Sequence, residues 1–573
     1  MVSRTKVALS LGVVAVAAMS LMAASWAGAQ GEAKYRRSQS LISSGSQWGN
    51  IAGTNPYTGN HAVGLIGLVE ETLLRYDPLK DRYINWLAKN AKFTGPKTFV
   101  VTVRSDIHWS NGQKFAGRDV AFNFRLGRFA TASWHNLYVN LKPIKVKGNT
   151  VTFRFKNTPN FAQWQSLLYN LPMINPRQAA TIRDAGSLLT FSPNNPIGTG
   201  PYELATGGFD PTTRVVWKKK PTWWAAKQHL SPSPAPKYII DLVNPPTPAL
   251  SDLLTGIEDL NNNYLPGIQD LVKRGKARTY FPKAPYNLAA KTVWLVPNVT
   301  HKPLNDKAFR KALATSINIR QIVRDDYRNL VLPANATGLL NVWSKWVNKS
   351  QLKSLGFKYS TANARKILTG AGYKLGDDGF FNNLDGSKID LSIIVPENWT
   401  VWATAERMIV KSAKAAGIRI TISTVDENAW TTNRQTGRFD LAIESPYQLS
   451  DNPWTYFDGL FHLPIVTTGA GQTFANTSRY RNKTAWRLVQ KLDHTPLGNT
   501  RARKSIMSKL EKITMTDFPS IPLWYDGVWA QTQSKYWTNW PSSTTSRRYY
   551  PCMGNGFLQM TGIDMITHLK KAK

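Results

Sequence analysis

Apolar positions along the chain recur with two periods. Phe99–Val103 and Val151–Phe155 alternate apolar with polar residues, the period of a half-buried strand. Tyr238–Val243, Ile389–Val395, Ile418–Val425, Phe439–Ile443 and Ile521–Trp524 are short apolar runs bounded by polar or turn residues, and also predict strands. Between them lie helical spacings at Val63–Tyr76, Phe161–Tyr169, Thr247–Leu254, Thr361–Leu368, Thr400–Ala416 and Arg501–Met515. Gly256, Gly370 and Gly417 stand where helix C-caps are expected. The fullest pattern is at 293–323. An apolar run, Val293–Val296, ends in a loop at Asn298; Asn305 and Asp306 are candidate N-caps; Phe309, Ala312, Leu313 and Ile317 then repeat at helical spacing. Strands alternating with helices define an α/β chain.

Length and charge narrow the class. The chain has 573 residues, enough for two or three domains, and 42% hydrophobic residues, too many for a disordered chain. Residues 1–29 have the form of a secretory signal: Arg4 and Lys6, the apolar run Val7–Ala24, then small residues at Ala27-Gly28-Ala29. The alternative is a retained membrane anchor. No later segment has about 18 uninterrupted apolar residues. The single cysteine, Cys552, rules out an internal disulfide and lies far from any lipid attachment point at the cleavage site. The expected location is therefore extracytoplasmic, periplasmic or at the cell surface. The formal charge of +37 becomes +35 when Arg4 and Lys6 are removed with the signal. Its basic residues are spread along the chain, and no zinc finger, RNA-binding motif or basic zipper accompanies them. Attraction to an anionic envelope is expected, and specific nucleic-acid binding is not. No Gly-x-Ser-x-Gly, HExxH or Walker motif is present. The eight histidines show no metal-ligand spacing, so neither a metal nor another cofactor is expected. A secreted glycoside hydrolase drawing carboxylates from distant segments is the enzyme alternative.

Several phrases, in order, resemble one family. Leu68–Pro78 (LVEETLLRYDP), Trp109–Phe124 (WSNGQKFAGRDVAFNF), Ile197–Leu204 (IGTGPYEL), Leu253–Asp259 (LLTGIED), the 305–323 helix, Ala364–Tyr373 (ARKILTGAGY) and Gly437–Leu441 (GRFDL) are similar to motifs of the extracellular solute-binding proteins of ABC importers, family 5, the oligopeptide, dipeptide and nickel type. The residues themselves read as architecture: Asn111-Gly112 is a tight turn, Asp119 falls in the first turn of a helix, and two glycines with a proline mark a domain crossing. The resemblance implies a two-lobed periplasmic-binding-protein fold (type II-like, cluster C) with a two-segment hinge. The first lobe would comprise 35–57, 197–285 and 520–573, its extra subdomain 58–196, and the second lobe 286–519. It also implies a monomer that closes over an oligopeptide or oligosaccharide and delivers it to a membrane permease and its ATPase.

The solute is less plainly written. Peptide-binding relatives hold the peptide amino terminus with an aspartate after the "GRFDL" strand. Here the loop AIESPYQLSDNPWTYF puts Leu449 at that place, with Asp451 two residues on and Tyr447 beside it. Tryptophans favour sugar. There are 21, and Trp48, Trp399, Trp402, Trp430 and Trp454 lie in or beside polar loops rather than in apolar runs, near amides and acids such as Asn55, Glu397, Asn398 and Asn428. Sugar rings stack apolar faces on indoles, while their hydroxyls need polar partners. SQWGN…NPY, which carries Trp48, Asn55 and Tyr57, and YWTNWPSSTTS near the C-terminus resemble the family's cello-oligosaccharide-binding branch. Asn298 is expected to face the cleft from the second lobe.

Overall fold

The computed structural model describes residues 34–47, 51, 53–58, 61–243, 246–445, 452–465, 475–544, 548–551 and 559–573. Trp48, Tyr447, Asp451 and Cys552 lie outside these residues.

Two six-stranded sheets organise the chain. The first runs, edge to edge, Gln531–Thr532, Leu260–Asn261, Ser40–Gln47, Tyr238–Val243, Arg214–Lys219 and Tyr202–Asp210. Ser40–Gln47 pairs in parallel with both neighbours, setting Leu41 opposite Ile239 and Ser43 opposite Leu260. Successive residues Leu41 and Ile42 are both buried, which is why these strands read as apolar runs without alternation. The second sheet runs Leu332–Pro333, Ile521–Gly527, Ala289–Pro297, Leu441–Glu444, Leu391–Pro396 and Ile420–Val425. Its last three strands are parallel to one another. Ala289–Pro297 is antiparallel to Ile521–Gly527 and to Leu441–Glu444.

A third, antiparallel sheet of Ala88–Gly95, Thr98–Val103, Thr150–Arg154 and Lys145–Lys147 forms the subdomain inserted in the first lobe. Thr98–Val103 alternates half-buried with buried residues, as its period-two pattern requires. The buried face meets helix Phe161–Asn170, whose Trp164 packs edge-on to Phe153 and Phe155 with ring centroids 5.1 and 4.9 Å apart.

The chain passes from the first sheet to the second between Asn261 and Ala289, and returns between Gly527 and Gln531. Ile521–Gly527, expected in the first lobe, is therefore a strand of the second sheet; the return comes after it, and a boundary at 520 is too early. Trp529, Tyr264, Tyr327 and Trp524 pack edge-to-face or tilted at the crossings, with successive centroids 5.1–5.5 Å apart.

Two segments differ from their periodicity. Val63–Tyr76 is not a helix. Leu65–Val69 makes a single irregular turn, with Gly64 and Gly67 at φ 88° and 101°, and Leu74–Asp77 is a strand. All of Leu65–Val69 is buried, so the apolar spacing reflected burial on every side rather than one helix face. Gly198 and Gly200 explain the shape: a β-carbon on either would lie 1.8 Å from the Val69 carbonyl oxygen or 2.3 Å from that of Leu68. Ile197–Leu204 and Leu68–Pro78 are thus two halves of one backbone-to-backbone packing. The 305–323 helix is two helices, Lys307–Ser316 capped by Asp306 and Ile319–Asp325 capped by Asn318. Phe309, Leu313 and Ile317 are buried. Arg310 reaches the carbonyls of Leu304, Asp517 and Phe518, an architectural role.

Candidate functional site

In the first sheet the parallel strands end on one side, at Gln47, Val243 and Asn261. In the second, the parallel strands end together at Pro396, Val425 and Glu444. Both edges are the ones reached by the two crossings. Ligands of open α/β sheets bind outside the carboxyl ends of the strands, where loops rather than regular backbone are presented.

Three tryptophans meet at the edge of the second sheet. Trp399 follows strand Leu391–Pro396 and immediately precedes helix Thr400–Ala415, Trp402 is in that helix's first turn, and Trp430 is on helix Glu427–Thr436 after the neighbouring strand. Ring centroids are 4.9 Å apart for Trp399 and Trp402, 5.1 Å for Trp399 and Trp430, and 6.5 Å for Trp402 and Trp430. Trp402 and Trp430 are buried and Trp399 half-buried, so Trp399 supplies the accessible ring. Glu397 and Asn398 are exposed on the loop before Trp399, and Asn428 is exposed in the first turn of the Trp430 helix.

The back of this cluster is fixed by charge. The Arg434 guanidinium lies 3.5 Å from the Trp430 centroid and pairs with Glu444, which also accepts a hydrogen bond from Thr477. Both charged side chains are almost fully buried. Arg479 donates to the carbonyls of Arg434 and Gln435, tying helix to loop. A cation over the inner face of an indole, held by a buried carboxylate, leaves the ring little freedom to turn. Four residues after Trp402, on the same buried helix face, Glu406 has one carboxyl oxygen without a partner, and burial pushes its pKa up to about 7.

The other expected residues divide. Trp454 opens helix Trp454–Phe461 at the same edge, half-buried, with its indole nitrogen enclosed and unpartnered. Asn55 and Tyr57 are instead spent on the fold. The Asn55 amide donates to the carbonyls of Leu188 and Leu189 and accepts from the Tyr57 amide. The Tyr57 hydroxyl donates to Asn123, and its ring packs on Trp134. Burial, with the negative charge of Glu70 second, raises the Tyr57 hydroxyl well above its ordinary range. Asn298 is at the wrong end: it follows Pro297, which pairs with Leu441 at the start of its strand, opposite the edge that carries the tryptophans. Its amide is consumed by the carbonyls of Gly437 and Phe439 and by Thr300.

Two asparagines carry no motif in the sequence. Asn263, beyond strand Leu260–Asn261, and Asn287, just before Ala289, bracket the first crossing. Both are buried, and neither amide group has a partner. A buried amide left unsatisfied is costly, so such groups mark places where something else supplies the hydrogen bonds. Only their position after a strand and before the next could have flagged them. Among the described residues no group of histidine, cysteine, aspartate or glutamate could hold a metal ion, and no helix is long and apolar enough to cross a membrane.

Two lobes on separate sheets, joined by two crossings, with aromatic and amide groups gathered at the facing edges, define a solute receptor. Residues 82–466 match the family described as bacterial extracellular solute-binding proteins, family 5 Middle, and the chain belongs to that family. It is 22% identical over 465 residues to the nickel-binding periplasmic protein of Escherichia coli, covering 76% of this chain and 84% of that one. It is 23% identical over 453 residues to the oligopeptide-binding protein OppA of Lactococcus lactis, covering 70% and 73%. Among solved structures, a periplasmic oligopeptide-binding protein of an oligopeptide ABC transporter from Thermotoga maritima superposes with a TM-score of 0.89 at 30% identity, covering 94% of this chain and all of that one. The same Thermotoga protein with mannohexaose bound gives 0.83 at 30% identity, covering 94% and 99%. The chain is a family 5 substrate-binding component of an ABC transporter. Its homologues are transport proteins of the periplasm rather than enzymes.

Proposed function

We propose that the solute is a neutral oligosaccharide of linked hexoses, of the manno- or cello-type, bound between the lobes with a sugar ring stacked on Trp399. The observation that carries this reading is the Trp399–Trp402–Trp430 cluster at the carboxyl edge of the second sheet, braced from behind and flanked by exposed amides. Rigid indoles bind sugar faces at small cost in conformational entropy, and side-chain amides match hydroxyls as both donors and acceptors. Mannohexaose in a relative at 30% identity supports the same class. Trp48, Tyr447, Trp454, Asn263 and Asn287 are assigned to the same cleft; Asp451 is the residue a peptide amino terminus would need.

Ligand touching both lobes shifts the open–closed equilibrium toward closed, and the closed monomer docks on the permease, where the partner ATPase drives uptake. The chain works outside the cytoplasm, exported by residues 1–29, and turns over no substrate. Titration calorimetry with mannohexaose, cellohexaose and mixed oligopeptides tests the solute class. The expected result is micromolar or tighter binding of a hexaose, weakly dependent on salt, with a smaller radius of gyration by small-angle scattering. Tight peptide binding with no response to either hexaose would overturn the sugar assignment. Continued release of shortened sugars would overturn the binder assignment in favour of a hydrolase.

A further inference from the structure

We propose that the second lobe carries a basic face that docks on an anionic membrane surface. It is built by helices Lys349–Leu355, Lys483–Asp493 and Thr500–Asp517. They form one packed unit. Arg503 of the long helix donates to the carbonyls of Leu492 and Thr495, and on its other flank Asn348 donates to Ser508 and Glu511.

Every exposed charge on these helices is positive. Lys483, Arg487 and Lys491 form one stripe at four-residue spacing. Arg501, Lys504, Lys509 and Lys512 occupy the solvent face of the long helix, and Lys349 and Lys353 repeat the four-residue spacing on the short one. The carboxylates these helices do contain are turned away. Asp493 and Glu511 are buried, and Asp517 is half-buried with its carboxylate taken by Tyr480. None of the exposed cations makes an ion pair with a carboxylate among the described residues. The whole chain has 72 basic and 35 acidic residues, so a face of this extent would ordinarily include several acids.

Like charges four apart on a helix repel and destabilise it. Surface helices usually relieve this with interspersed glutamates, and here none is interspersed. The face also lacks exposed aromatic or large aliphatic groups: Trp486 is half-buried, folded against the His462 ring at 4.7 Å. Its contact is thus with charge alone, peripheral rather than inserted. The long helix spans about 27 Å at 1.5 Å per residue, several lipid headgroups across. An anionic bilayer is the occupant favoured by this chemistry: many weak attractions summed over a broad face, close to where the family's transporter sits. A nucleic acid would call for aromatic groups between the cations to stack bases, and these helices offer none.

Vesicle co-sedimentation at about 0.1 M salt tests the assignment. The probes are phosphatidylcholine vesicles with and without about 30 mol % phosphatidylglycerol. The wild-type chain is expected to sediment only with the anionic vesicles and to be released as salt rises. A triple variant, Lys483→Glu, Arg487→Glu and Lys491→Glu, should lose about tenfold or more in affinity. A control with the same change in net charge, Lys89→Glu, Lys92→Glu and Lys145→Glu on the four-stranded sheet, should keep nearly all of it. Thermal melting of both variants verifies that each is folded; should the triple glutamate variant fail to fold, the glutamine version of the same three sites takes its place. Equal losses in the two variants, equal binding to neutral vesicles, or no binding to anionic vesicles would each overturn the proposal. So would equally tight binding to a soluble polyanion such as polyglutamate, which would point to an acidic polymer instead.

Discussion

Trp399 is the residue on which the sugar assignment turns. Half-buried at the margin of the core, it can be replaced without unfolding the lobe. Trp399→Ala should weaken hexaose binding about two- to tenfold, from a stacking contribution of roughly 0.5–1.5 kcal/mol, while the melting temperature holds. Calorimetry and a melting curve on one preparation separate the two effects. Arg434 behaves in the opposite way. Arg434→Ala strands Glu444 as an uncompensated buried charge and should destabilise the lobe by about 3–5 kcal/mol, read as a lowered denaturation midpoint with or without ligand. Gly198→Ala drives a methyl group into the Val69 carbonyl and should cost on the order of 3 kcal/mol. These contrasts show what residue-level reading of a sequence can and cannot reach. The tryptophans in and beside these loops are conspicuous because apolar rings among polar neighbours have no other local reason to be there. Arg434 and Glu406 sit in ordinary helical text, and their roles depend on which strand end their helix packs against. Asn298 looked free only because its partners, Gly437 and Phe439, are far away in the chain.

At the scale of elements, the regular ones were legible wherever local signals agreed with tertiary burial. Tyr238–Val243 is a strand with the bounds its apolar run predicts, and Thr400–Ala415 stops just short of Gly417, which has φ +80°. Asp306 caps its helix as its side chain allows. Val63–Tyr76 failed for a definable reason: a segment buried on all sides has no periodicity to report, and its shape is imposed by Gly198 and Gly200 from more than a hundred residues away. Helix Thr500–Asp517 carries a testable signature of its own. Burial pushes the Glu511 carboxyl to about 7, against its hydrogen bond from the Asn348 amide. The folded state therefore holds this proton more tightly than the unfolded chain. Its contribution to stability is fully present below about pH 4.5 and is lost as pH rises through about 7. The melting temperature should fall across that window, and Glu511→Gln should flatten the fall; a profile unchanged by the substitution would remove Glu511 as its source.

At the scale of the whole molecule, the lobes touch away from the crossings as well as at them. Asp493 of the second lobe, almost fully buried, accepts hydrogen bonds from the side chains of Asn160 and Gln163 and from the Gln163 amide, at 2.7–3.1 Å. Lys345 pairs with Asp81 between the same two bodies. Asp493→Ala leaves those donors without an acceptor on the far lobe, so the closed form should lose about 1.5–3 kcal/mol. A faster ligand off-rate in stopped-flow fluorescence, with on-rate little changed, is the expected result. The route of the chain has one more consequence. Ile521–Gly527 is not at a margin of the second sheet; it lies between Leu332–Pro333 and Ala289–Pro297, and Gln531–Thr532 closes one edge of the first. Neither sheet can be finished until nearly the whole polypeptide is available. A growing chain thus carries two incomplete sheets throughout synthesis, and its assembly waits on contacts that bridge hundreds of residues, the slow kind of folding.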